Sequence, residues 1–296
     1  MSDQDVKSAV RDWWADNPMT YGQEHGVTDY VDPDGTVRKV EFGSREFFET
    51  ADKTFFQWNL PLHNDKGTFG KIFDYEKFRG KNVLEVGCGM GYMAMNWAQQ
   101  GAKVTALDLN PVAIVQTTSR FKAFDLPGEI IEGDGRSLPF EDNKFAHVYS
   151  WGVLHHSPNI ESSLAEVFRV VEPGGTVGVM LYNRNSFLFR YIVQYLEGIV
   201  NLEHRVLSPL EMGSRYGDGD RREGNPHTWP VTIKEAKEEL FAQFEDINVE
   251  VFGTDVAGIV DHFFPLLASR LMPKPLLNAL IRRWGWSLWI TARKPK

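Results

Sequence analysis

The stretch VLEVGCGMGY, residues 83–92, places a short apolar run directly before three glycines in alternate positions. A run of this length is typical of a buried strand, and the following Tyr92–Gln100 has the apolar spacing of a helix. Glycines between a strand and a helix let the backbone pass close to a ligand, because a Cβ atom there would collide with it. The stretch therefore predicts a strand, a turn and a helix that hold a ligand at the turn.

Outward from this stretch, short apolar runs alternate with helical stretches. We predict strands at Asn82–Val86, Val104–Leu107, Glu129–Glu132, Phe145–Ser150, Thr176–Tyr182, Ile247–Phe252 and Ser287–Ala292. We predict helices at Tyr92–Gln100, Val112–Phe124, Ile160–Val171, Phe187–Val200 and Ile233–Phe244. Buried strands that alternate with helices indicate βαβ units and a mostly parallel sheet. The predicted fold is therefore an α/β, Rossmann-like, doubly wound sheet.

The chain is expected to form a single domain with additions around this sheet. Its predicted parts are an N-terminal helical cap or lid rich in aromatic residues (1–80), the ligand-binding core (81–182), an insertion (183–232), and the rest of the sheet (233–296) with a second insertion at 256–286. Glycines and polar residues in Gly213–Pro230 are typical of a mobile loop.

Composition excludes several classes of protein. The 296 residues carry a formal net charge of -8, which argues against a nucleic-acid partner. Cys88 is the only cysteine, so an internal disulfide and a cysteine-based metal site are excluded, and we predict no metal. The first residues lack the apolar run of a signal peptide, and no stretch of about 18 apolar residues occurs. These features predict a cytoplasmic protein of unknown oligomeric state.

Two carboxylates follow the next two predicted strands. Asp108 ends the second strand and can accept both hydroxyls of a ribose, whereas the alternative role of helix cap suits Asn110 better. Asp134 follows the third strand and can accept the amino group of an adenine, although an aspartate in a turn is the simpler interpretation. Loops at the carboxyl ends of neighbouring strands converge where open α/β sheets bind ligands. A nucleoside-containing cofactor is therefore expected.

The spacing of the glycines bears on which nucleoside cofactor is bound. Dinucleotide-dependent oxidoreductases carry the related pattern G-x-G-x-x-G. Here the pattern is G-x-G-x-G, and Tyr92 stands where a dinucleotide-binding turn would have its third glycine. An NAD-dependent oxidoreductase is therefore disfavoured.

Four motifs together resemble one large family. They are LEVGCGMG (84–91), the acid in ALDLN (106–110), GDGRSLPFEDNKFAHVYSWGVLHH (133–156) and VEPGGTVGV (171–179). In this order they resemble the class I S-adenosylmethionine (SAM)-dependent methyltransferases, in particular the group with the ubiquinone- and menaquinone-pathway enzymes. The resemblance covers about residues 80–182, with weaker similarity in 233–253 and 287–293. It implies a seven-stranded sheet whose last strand is antiparallel, with SAM as cofactor and S-adenosylhomocysteine (SAH) as product.

The resemblance also implies which residues contact SAM. It places Glu85 and the glycines Gly87, Gly89 and Gly91 at the methionine end, Asp108 at the ribose, Leu109, Asp134 and Gly135 at the adenine, and Trp151 beside the cofactor. Cys88 stands in the motif where small residues are usual, so we interpret it as a packing residue and not as a nucleophile.

Three residues are candidates for catalysis. His155 and His156 follow the fourth strand, where family members place residues near the transferred methyl group, and an ordinary histidine titrates near neutral pH. Of the two we favour His155, and the alternative is that both orient loops around Pro158. Tyr21 lies in an aromatic N-terminal segment and can direct its hydroxyl at the sulfonium or the substrate, with core packing as its alternative.

The insertions indicate the acceptor. Phe187–Val193 and Phe263–Leu267 are strongly apolar, which suggests a hydrophobic small molecule, unless they only pack on the sheet. The segment 266–286 mixes apolar and basic residues as membrane-surface segments do, but Pro273 and Pro275 interrupt it, so we favour a lid over membrane contact. The predicted function is methyl transfer to oxygen or carbon, possibly nitrogen, of such a molecule. A non-enzymatic SAM-binding accessory protein and SAM-dependent cyclopropane formation on lipids stay open as alternatives.

Overall fold

Seven strands form the central sheet of the protein. A computed structural model describes residues 2–17, 29–31, 36–218, 224–253, 255–263 and 271–296. Including a separate pair, β1 and β2, the described strands in chain order are β1 (Asp29–Val31), β2 (Val37–Lys39), β3 (Asn82–Val86), β4 (Lys103–Asp108), β5 (Glu129–Glu132), β6 (Phe145–Trp151), β7 (Val171–Tyr182), β8 (Glu245–Phe252) and β9 (Ser287–Arg293). The sheet has the order β5-β4-β3-β6-β7-β9-β8, and β9 runs antiparallel to both of its neighbours. The seven-stranded, Rossmann-like sheet with an antiparallel last strand is confirmed.

Helices cover both faces of this sheet. In chain order they are α1 (Asp3–Asp16), α2 (Arg45–Trp58), α3 (Tyr92–Gln99), α4 (Pro111–Ala123), α5 (Ile160–Val170), the π-helix Leu188–Val200, α6 (Pro209–Gly217), α7 (Ile233–Glu235) with a π-helical continuation Ala236–Leu240, α8 (Asp255–Phe263) and α9 (Lys274–Trp284). Short 3₁₀ turns lie at Leu60–Leu62, Glu76–Phe78, Leu154–His156 and Glu203–Arg205. Among the described residues no helix is both long and apolar enough to cross a bilayer.

Each face of the sheet has its own apolar core. One core joins the N-terminal aromatic residues, such as Phe48 and Phe73, to Trp97 of α3 and Tyr149 of β6. The other core packs α5 and the segment after α7 against the opposite face. The aromatic residues before β3 therefore bury apolar surface that the sheet alone would leave exposed to water.

The mobile loop predicted for Gly213–Pro230 is wrong in its described parts. Residues up to Gly217 belong to α6, whose first turn is capped by reciprocal hydrogen bonds between Ser208 and Glu211. A Cβ atom on Gly213 would lie 3.1 Å from the carbonyl oxygen of Thr228, and one on Gly217 would lie 3.1 Å from its methyl group. The glycines therefore allow α6 to pack closely on the segment around Thr228, and they do not signal flexibility here.

Three other elements differ from their predictions. β7 begins at Val171, before the predicted Thr176, because the pairing with β6 shifts register across a bulge in which Gly174 has a φ of +78°. The short antiparallel pair β1–β2 lies in a region predicted to contain only helices and loops. The helix predicted at Ile233–Phe244 ends at Leu240 in π-helical turns. Local propensity does not report these long-range pairings.

Arg120 joins the N-terminal cap to the glycine turn. Its fully buried guanidinium lies 2.8 Å from the carboxylate of Asp52 on α2, and its Nε donates to the carbonyl of Met90 at 2.6 Å. It also lies over the rings of Phe48 and Tyr92. Replacing Arg120 by methionine leaves Asp52 buried without a cation. We expect the free energy of unfolding to fall by about 3–5 kcal/mol, measured by urea denaturation.

The double variant Arg120→Met/Asp52→Leu is the matched control. Because it removes both charges, it is expected to regain much of the lost stability. A loss below about 1 kcal/mol in the single variant, as for an exposed ion pair, would contradict a structural role for this pair.

His147 makes the stability of the fold sensitive to acid. Its ring packs between Phe78 and Trp97, and Nδ1 hydrogen-bonds to Thr176 Oγ1 at 2.9 Å. Burial lowers the pKa of His147 to about 3. An unfolded histidine titrates near pH ~6.5, so the unfolded chain takes up this proton first as the pH falls. Stability that is fully present above pH ~6.5 is therefore lost towards pH 3, by about 1.4 kcal/mol per pH unit for this proton.

The variant His147→Phe tests this pH dependence. It keeps a ring in the aromatic cluster and removes the titrating group. We expect its unfolding free energy, followed by denaturant titration between pH 7 and 4, to fall less steeply with acid than that of the wild type. Parallel pH dependences would mean that the pKa of His147 is the same in the folded protein as in the unfolded chain.

Candidate functional site

A large cavity opens at the carboxyl ends of β3, β4, β5 and β6. The strand order reverses between β3 and β6, which is where open α/β sheets bind ligands. The cavity has a volume of about 1390 Å³. Helix α1 contributes Lys7, Val10 and Trp14 to its wall. The N-terminal cap therefore closes one side of the site that the sheet opens.

The glycine turn forms the floor of the cavity. The amides of Gly87 and Cys88 donate to the carbonyl of Leu107 at 2.7 and 3.1 Å, which ties the turn to β4. A Cβ atom on Gly87, whose φ is +85°, would lie 2.3 Å from the side chain of Val153. Gly89 has a φ of +53° and open space where a Cβ would point. The turn thus leaves its backbone open to a ligand at Gly89.

Gly91 has a different part in the turn. It caps α3 in a left-handed conformation, and a Cβ atom there would lie 2.9 Å from Thr117 of α4. Gly87 and Gly89 line the cavity, whereas Gly91 is not among its lining residues. The third glycine therefore serves the contact between two helices.

Asp108 lies at the end of β4 and faces the cavity. One carboxylate oxygen accepts from the amide of Gly89 and the other from the amide of Asn110, each at 2.9 Å. Asn110 itself caps α4 by accepting from the amide of Val112. Each oxygen of Asp108 keeps a further lone pair. The carboxylate can thus accept two neighbouring hydroxyl groups without losing the bonds that orient it.

Glu85 is a buried carboxylate at the centre of the site. It lines the cavity, and its Oε2 atom has no hydrogen-bond partner among the described residues. Burial raises the pKa of Glu85 well above its usual value. A buried carboxylate oxygen without a donor is costly, so this atom is suited to receive an ammonium group from a ligand.

Asp134 is already bound by two cations. Its carboxylate accepts from the amide and guanidinium of Arg136, and it lies 3.0 Å from the ammonium of Lys7 on α1. Burial alone would raise the pKa of Asp134, but the hydrogen bonds from Arg136 and Lys7 lower it to about 2. The side chain predicted for adenine is therefore also the point where α1 is fastened to the core.

The two adjacent histidines lie in different environments. His155 is fully buried, packs on the ring of Tyr182 at 3.8 Å, and neither of its ring nitrogens has a hydrogen-bond partner among the described residues. Burial, together with the neighbouring His156, lowers the pKa of His155 well below its usual value. His156 lines the cavity and His155 does not.

His156 is oriented by the segment after α6. Its Nδ1 lies 2.9 Å from the carbonyl oxygen of His227 and 3.1 Å from the hydroxyl of Thr228. Because a carbonyl only accepts, Nδ1 carries the proton and the neutral ring presents a lone pair at Nε2. Nε2 lies 3.8 Å from Asp218, whose carboxylate also accepts from Tyr182 Oη at 2.6 Å. The cavity thus contains an oriented histidine beside a buried carboxylate.

The other predicted residues are placed as follows. Leu109, Gly135 and Trp151 line the cavity, and the Trp151 ring packs between Phe69 and Trp289. Cys88 is buried 3.5 Å from the hydroxyl of Thr117, and burial raises the pKa of its thiol. Tyr21 and residues 264–267 lie outside the described residues.

Comparison with known proteins now identifies the family. Residues 83–175 match the family model of a methyltransferase domain. A sterol 24-C-methyltransferase from Aspergillus fumigatus is 31% identical over 299 residues, which cover 94% of this chain and 74% of the relative. The chain belongs to the class I SAM-dependent methyltransferases.

Other relatives of this methyltransferase match over shorter regions. A sterol 24-C-methyltransferase from Gibberella zeae is 29% identical over 153 residues, so the chain spans only 40% of that relative's length. A phthiotriol/phenolphthiotriol dimycocerosates methyltransferase from Mycobacterium leprae is 41% identical over 99 residues, 32% of this chain and 36% of that protein.

Solved structures show the same fold. Phosphoethanolamine N-methyltransferase 2 from Haemonchus contortus, solved with S-adenosyl-L-methionine, has a TM-score of 0.51 and 18% identity, covering 88% of this chain and 62% of that chain. A Pyrococcus horikoshii protein has a TM-score of 0.53 and 19% identity, covering 87% and 94%. SAM is the cofactor of this methyltransferase family.

The cavity of this methyltransferase fits SAM. Glu85 has a buried oxygen without a donor, Gly89 leaves a cradle that a side chain would fill, and Asp108 keeps free lone pairs. These features can accept an ammonium group, a close approach of the ligand to the backbone and two ribose hydroxyls, and SAM has both of these groups.

Sequence reasoning missed several residues that line the cavity. They are Lys7, Gln116, Tyr182, Asp218 and Trp286. Gln116 is buried on α4, and its amide nitrogen has no partner among the described residues. Asp218 stands in a polar glycine-rich stretch, where an aspartate usually marks a turn. No local pattern distinguishes these residues, because their roles depend on segments far away in the chain.

Proposed function

We propose that this protein transfers the methyl group of SAM to oxygen, carbon or nitrogen of a small lipophilic molecule and releases SAH. The observation that carries the proposal is one cavity of about 1390 Å³ that is lined both by the loops after β3, β4 and β5 and by aromatic side chains. Binding pockets for one drug-sized ligand measure about 300–1,000 Å³, so this cavity has room for a cofactor and an acceptor together.

The cofactor end is formed by the loops after β3, β4 and β5. We assign Glu85 to the methionine ammonium, Asp108 to the ribose hydroxyls and Asp134 with Leu109 to the adenine. For Asp134 this assignment requires the adenine amino group to share a carboxylate with Lys7 or to displace it. Trp151 lies beside the position this leaves for the sulfonium.

The acceptor end is largely apolar. Trp14, Met180, Tyr182 and Trp286 line this part of the cavity, and the ring of Tyr182 stacks on Trp286 at 4.4 Å. Aromatic walls favour a hydrophobic acceptor, because they bury large apolar areas. The similarity to sterol methyltransferases and to a phthiotriol dimycocerosates methyltransferase supports an acceptor of this class.

The chemistry divides between cofactor and protein. SAM supplies a methyl group already activated by its sulfonium. The protein orients the acceptor behind that methyl group, which is worth about 7–11 kcal/mol for well-aligned reactants, and it removes a proton where the acceptor atom carries one. The acceptor atom forms the new bond to carbon, the carbon–sulfur bond breaks with its electrons left on sulfur, and the proton goes to the base.

His156 is the proposed base, in place of the His155 favoured from the sequence. The His156 side chain lines the cavity, its buried Nε2 has no hydrogen-bond partner among the described residues, and hydrogen bonding at Nδ1 fixes the tautomer. When Nε2 takes up a proton, the buried carboxylate of Asp218 at 3.8 Å stabilises the resulting imidazolium. His155 lacks both features.

The proposal is tested with SAM labelled by ¹³C in its methyl group. Purified protein is incubated with fractionated lipid extracts, and products are analysed by NMR. A labelled methyl signal on oxygen, carbon or nitrogen of a lipophilic product is the expected result, with SAH formed in equal amount. A labelled ring methylene instead would establish cyclopropane formation. SAM binding without any labelled product from lipophilic or polar extracts would make the protein a non-enzymatic SAM-binding accessory protein.

A further inference from the structure

Exposed apolar side chains concentrate on the two insertions. Eight of the thirteen large hydrophobic side chains that the described residues expose lie in two short segments, 195–206 and 271–284. They are Tyr195, Ile199, Val200, Leu202 and Val206 in the first segment and Leu271, Leu276 and Trp284 in the second. Contiguous exposed apolar residues of this kind mark surfaces that bind something.

Helix α9 presents an apolar side that the rest of the protein leaves partly uncovered. Pro273 and Pro275 stand before and within its first turn, so they begin the helix and the eleven residues Lys274–Trp284 run on without interruption. Leu276, Leu277, Leu280, Ile281 and Trp284 fall on one side at about 100° per residue. No residue of α9 is buried, and Leu276 and Trp284 are 50% and 43% exposed.

The sequence segment that contains α9 is basic, whereas the neighbouring elements β8 and α8 carry acidic residues such as Glu250 and Asp255. Residues 262–296 contain seven lysines and arginines and no aspartate or glutamate, although the chain carries a net charge of -8. At about 100° per residue, Lys274 and Arg283 border the apolar side of α9 on its two edges. Lys274, Arg282 and Arg283 form no ion pair with any described residue. These cations are therefore available to an external anionic partner.

We propose that α9, together with Leu271 before it, docks the protein on an anionic lipid surface. An apolar helix side bordered by cations is suited to lie in the headgroup region, with the leucines and the tryptophan among the acyl chains and the cations beside the phosphates. Exposed apolar side chains at Leu276 and Trp284 beside cations that have no ion pair among the described residues favour an anionic lipid surface over an uncharged apolar protein partner.

The position of α9 connects this surface to the cavity. Trp286 and Ser287, directly after the helix, line the cavity wall. Helix α8 contacts both α9 and the π-helix Leu188–Val200, which carries three of the other exposed apolar residues. A docked protein would therefore have the acceptor end of its cavity next to the lipid. Delivery of the acceptor from the bilayer rests on the proposed function, whereas docking itself does not.

The test is co-sedimentation of the full chain with vesicles of phosphatidylcholine alone or mixed with phosphatidylglycerol. We expect binding to the mixed vesicles, weaker binding to the neutral ones, and a loss of binding at high salt. The variant Leu276→Glu/Trp284→Glu is expected to bind at least about tenfold more weakly for each side chain removed from the lipid. Lys274→Gln/Arg283→Gln, which removes the two cations that border the apolar side, is expected to lose roughly fivefold for each cation.

Two control variants are matched to these changes. Val115→Glu places a charge on a side chain that is 57% exposed on α4, and Lys122→Gln removes an exposed cation from the same helix. Both are expected to bind vesicles as the wild type does, and thermal unfolding checks that every variant is folded.

Three outcomes would overturn the proposal. If wild-type protein binds SAM but does not co-sediment with either kind of vesicle, it has no lipid-docking surface. Vesicle binding that persists in Leu276→Glu/Trp284→Glu lies on another face. A dimer in sedimentation velocity that this variant splits would make α9 an interface between two copies. Turnover of an acceptor solubilised in detergent is measured separately, so failure of docking and failure of methyl transfer are distinguishable.

Discussion

Replacing His156 by glutamine is expected to lower kcat by about 10²–10⁴-fold, the usual contribution of a general base. Glutamine keeps a donor near the carbonyl of His227 but cannot take up a proton at the position of Nε2. Binding of SAM is expected to stay unchanged, because the proposed function assigns His156 to the acceptor and not to the cofactor. The acidic limb of the pH–rate profile should disappear together with the loss of kcat, which a purely structural role would not produce.

The control for His156 is its neighbour. His155→Phe keeps a ring stacked on Tyr182 and removes two nitrogens that have no partner among the described residues. We expect its kcat to stay near that of the wild type. Full activity in His156→Gln with inactivity in His155→Phe would reverse the assignment and return it to the residue that the sequence favoured.

Replacing Asp108 by alanine is expected to weaken the binding of SAM and SAH by about 100-fold or more. Hydrogen bonds to a charged group are worth about 1.5–3 kcal/mol each, and the carboxylate is assigned two ribose hydroxyls. The variant also removes the acceptor that holds the amide of Gly89. Calorimetric titration with both ligands measures the effect, and NADH is the negative control.

The variant Asp108→Asn separates charge from shape. It keeps one acceptor oxygen for the turn and is expected to bind SAM with an affinity between those of wild type and Asp108→Ala. Equal affinity of all three proteins, or saturable binding of NADH by the wild type, would show that the ribose assignment is wrong.

Local motifs were enough to predict the glycine turn after β3 and the position of Asp108 at the end of β4. The apolar run before Gly87 predicted β3. The order of residues 108–110 was enough to predict that Asn110, and not Asp108, caps α4. A side chain at the carboxyl end of a strand lies at the same edge of the sheet whichever strands flank it, so local sequence was enough to predict the fold. The resemblance to the quinone-pathway subgroup stays a prediction.

Local sequence was not enough to predict which histidine faces the cavity. His155 and His156 are consecutive residues, and which of them faces the cavity is decided by a segment about seventy residues later. The amide of Trp229 donates to the carbonyl of His155, and the carbonyl of His227 accepts from His156. Likewise, the spacing of Gly213 and Gly217 does not show whether they make a loop flexible or let α6 pack closely on Thr228. Only the tertiary contact distinguishes these possibilities.

The ion pair between Lys7 and Asp134 attaches α1 to the sheet and bears on how cofactor is exchanged. The strands that carry Glu85 and Asp108 are part of the sheet. Helix α1 lies outside that sheet and lines the cavity beside Asp134. On the proposed function, we expect SAH to leave when this one helix undocks, on the microsecond-to-millisecond scale of such motions. We therefore expect the sheet to keep the reacting groups aligned and the movement of α1 to limit how fast SAH is exchanged for SAM.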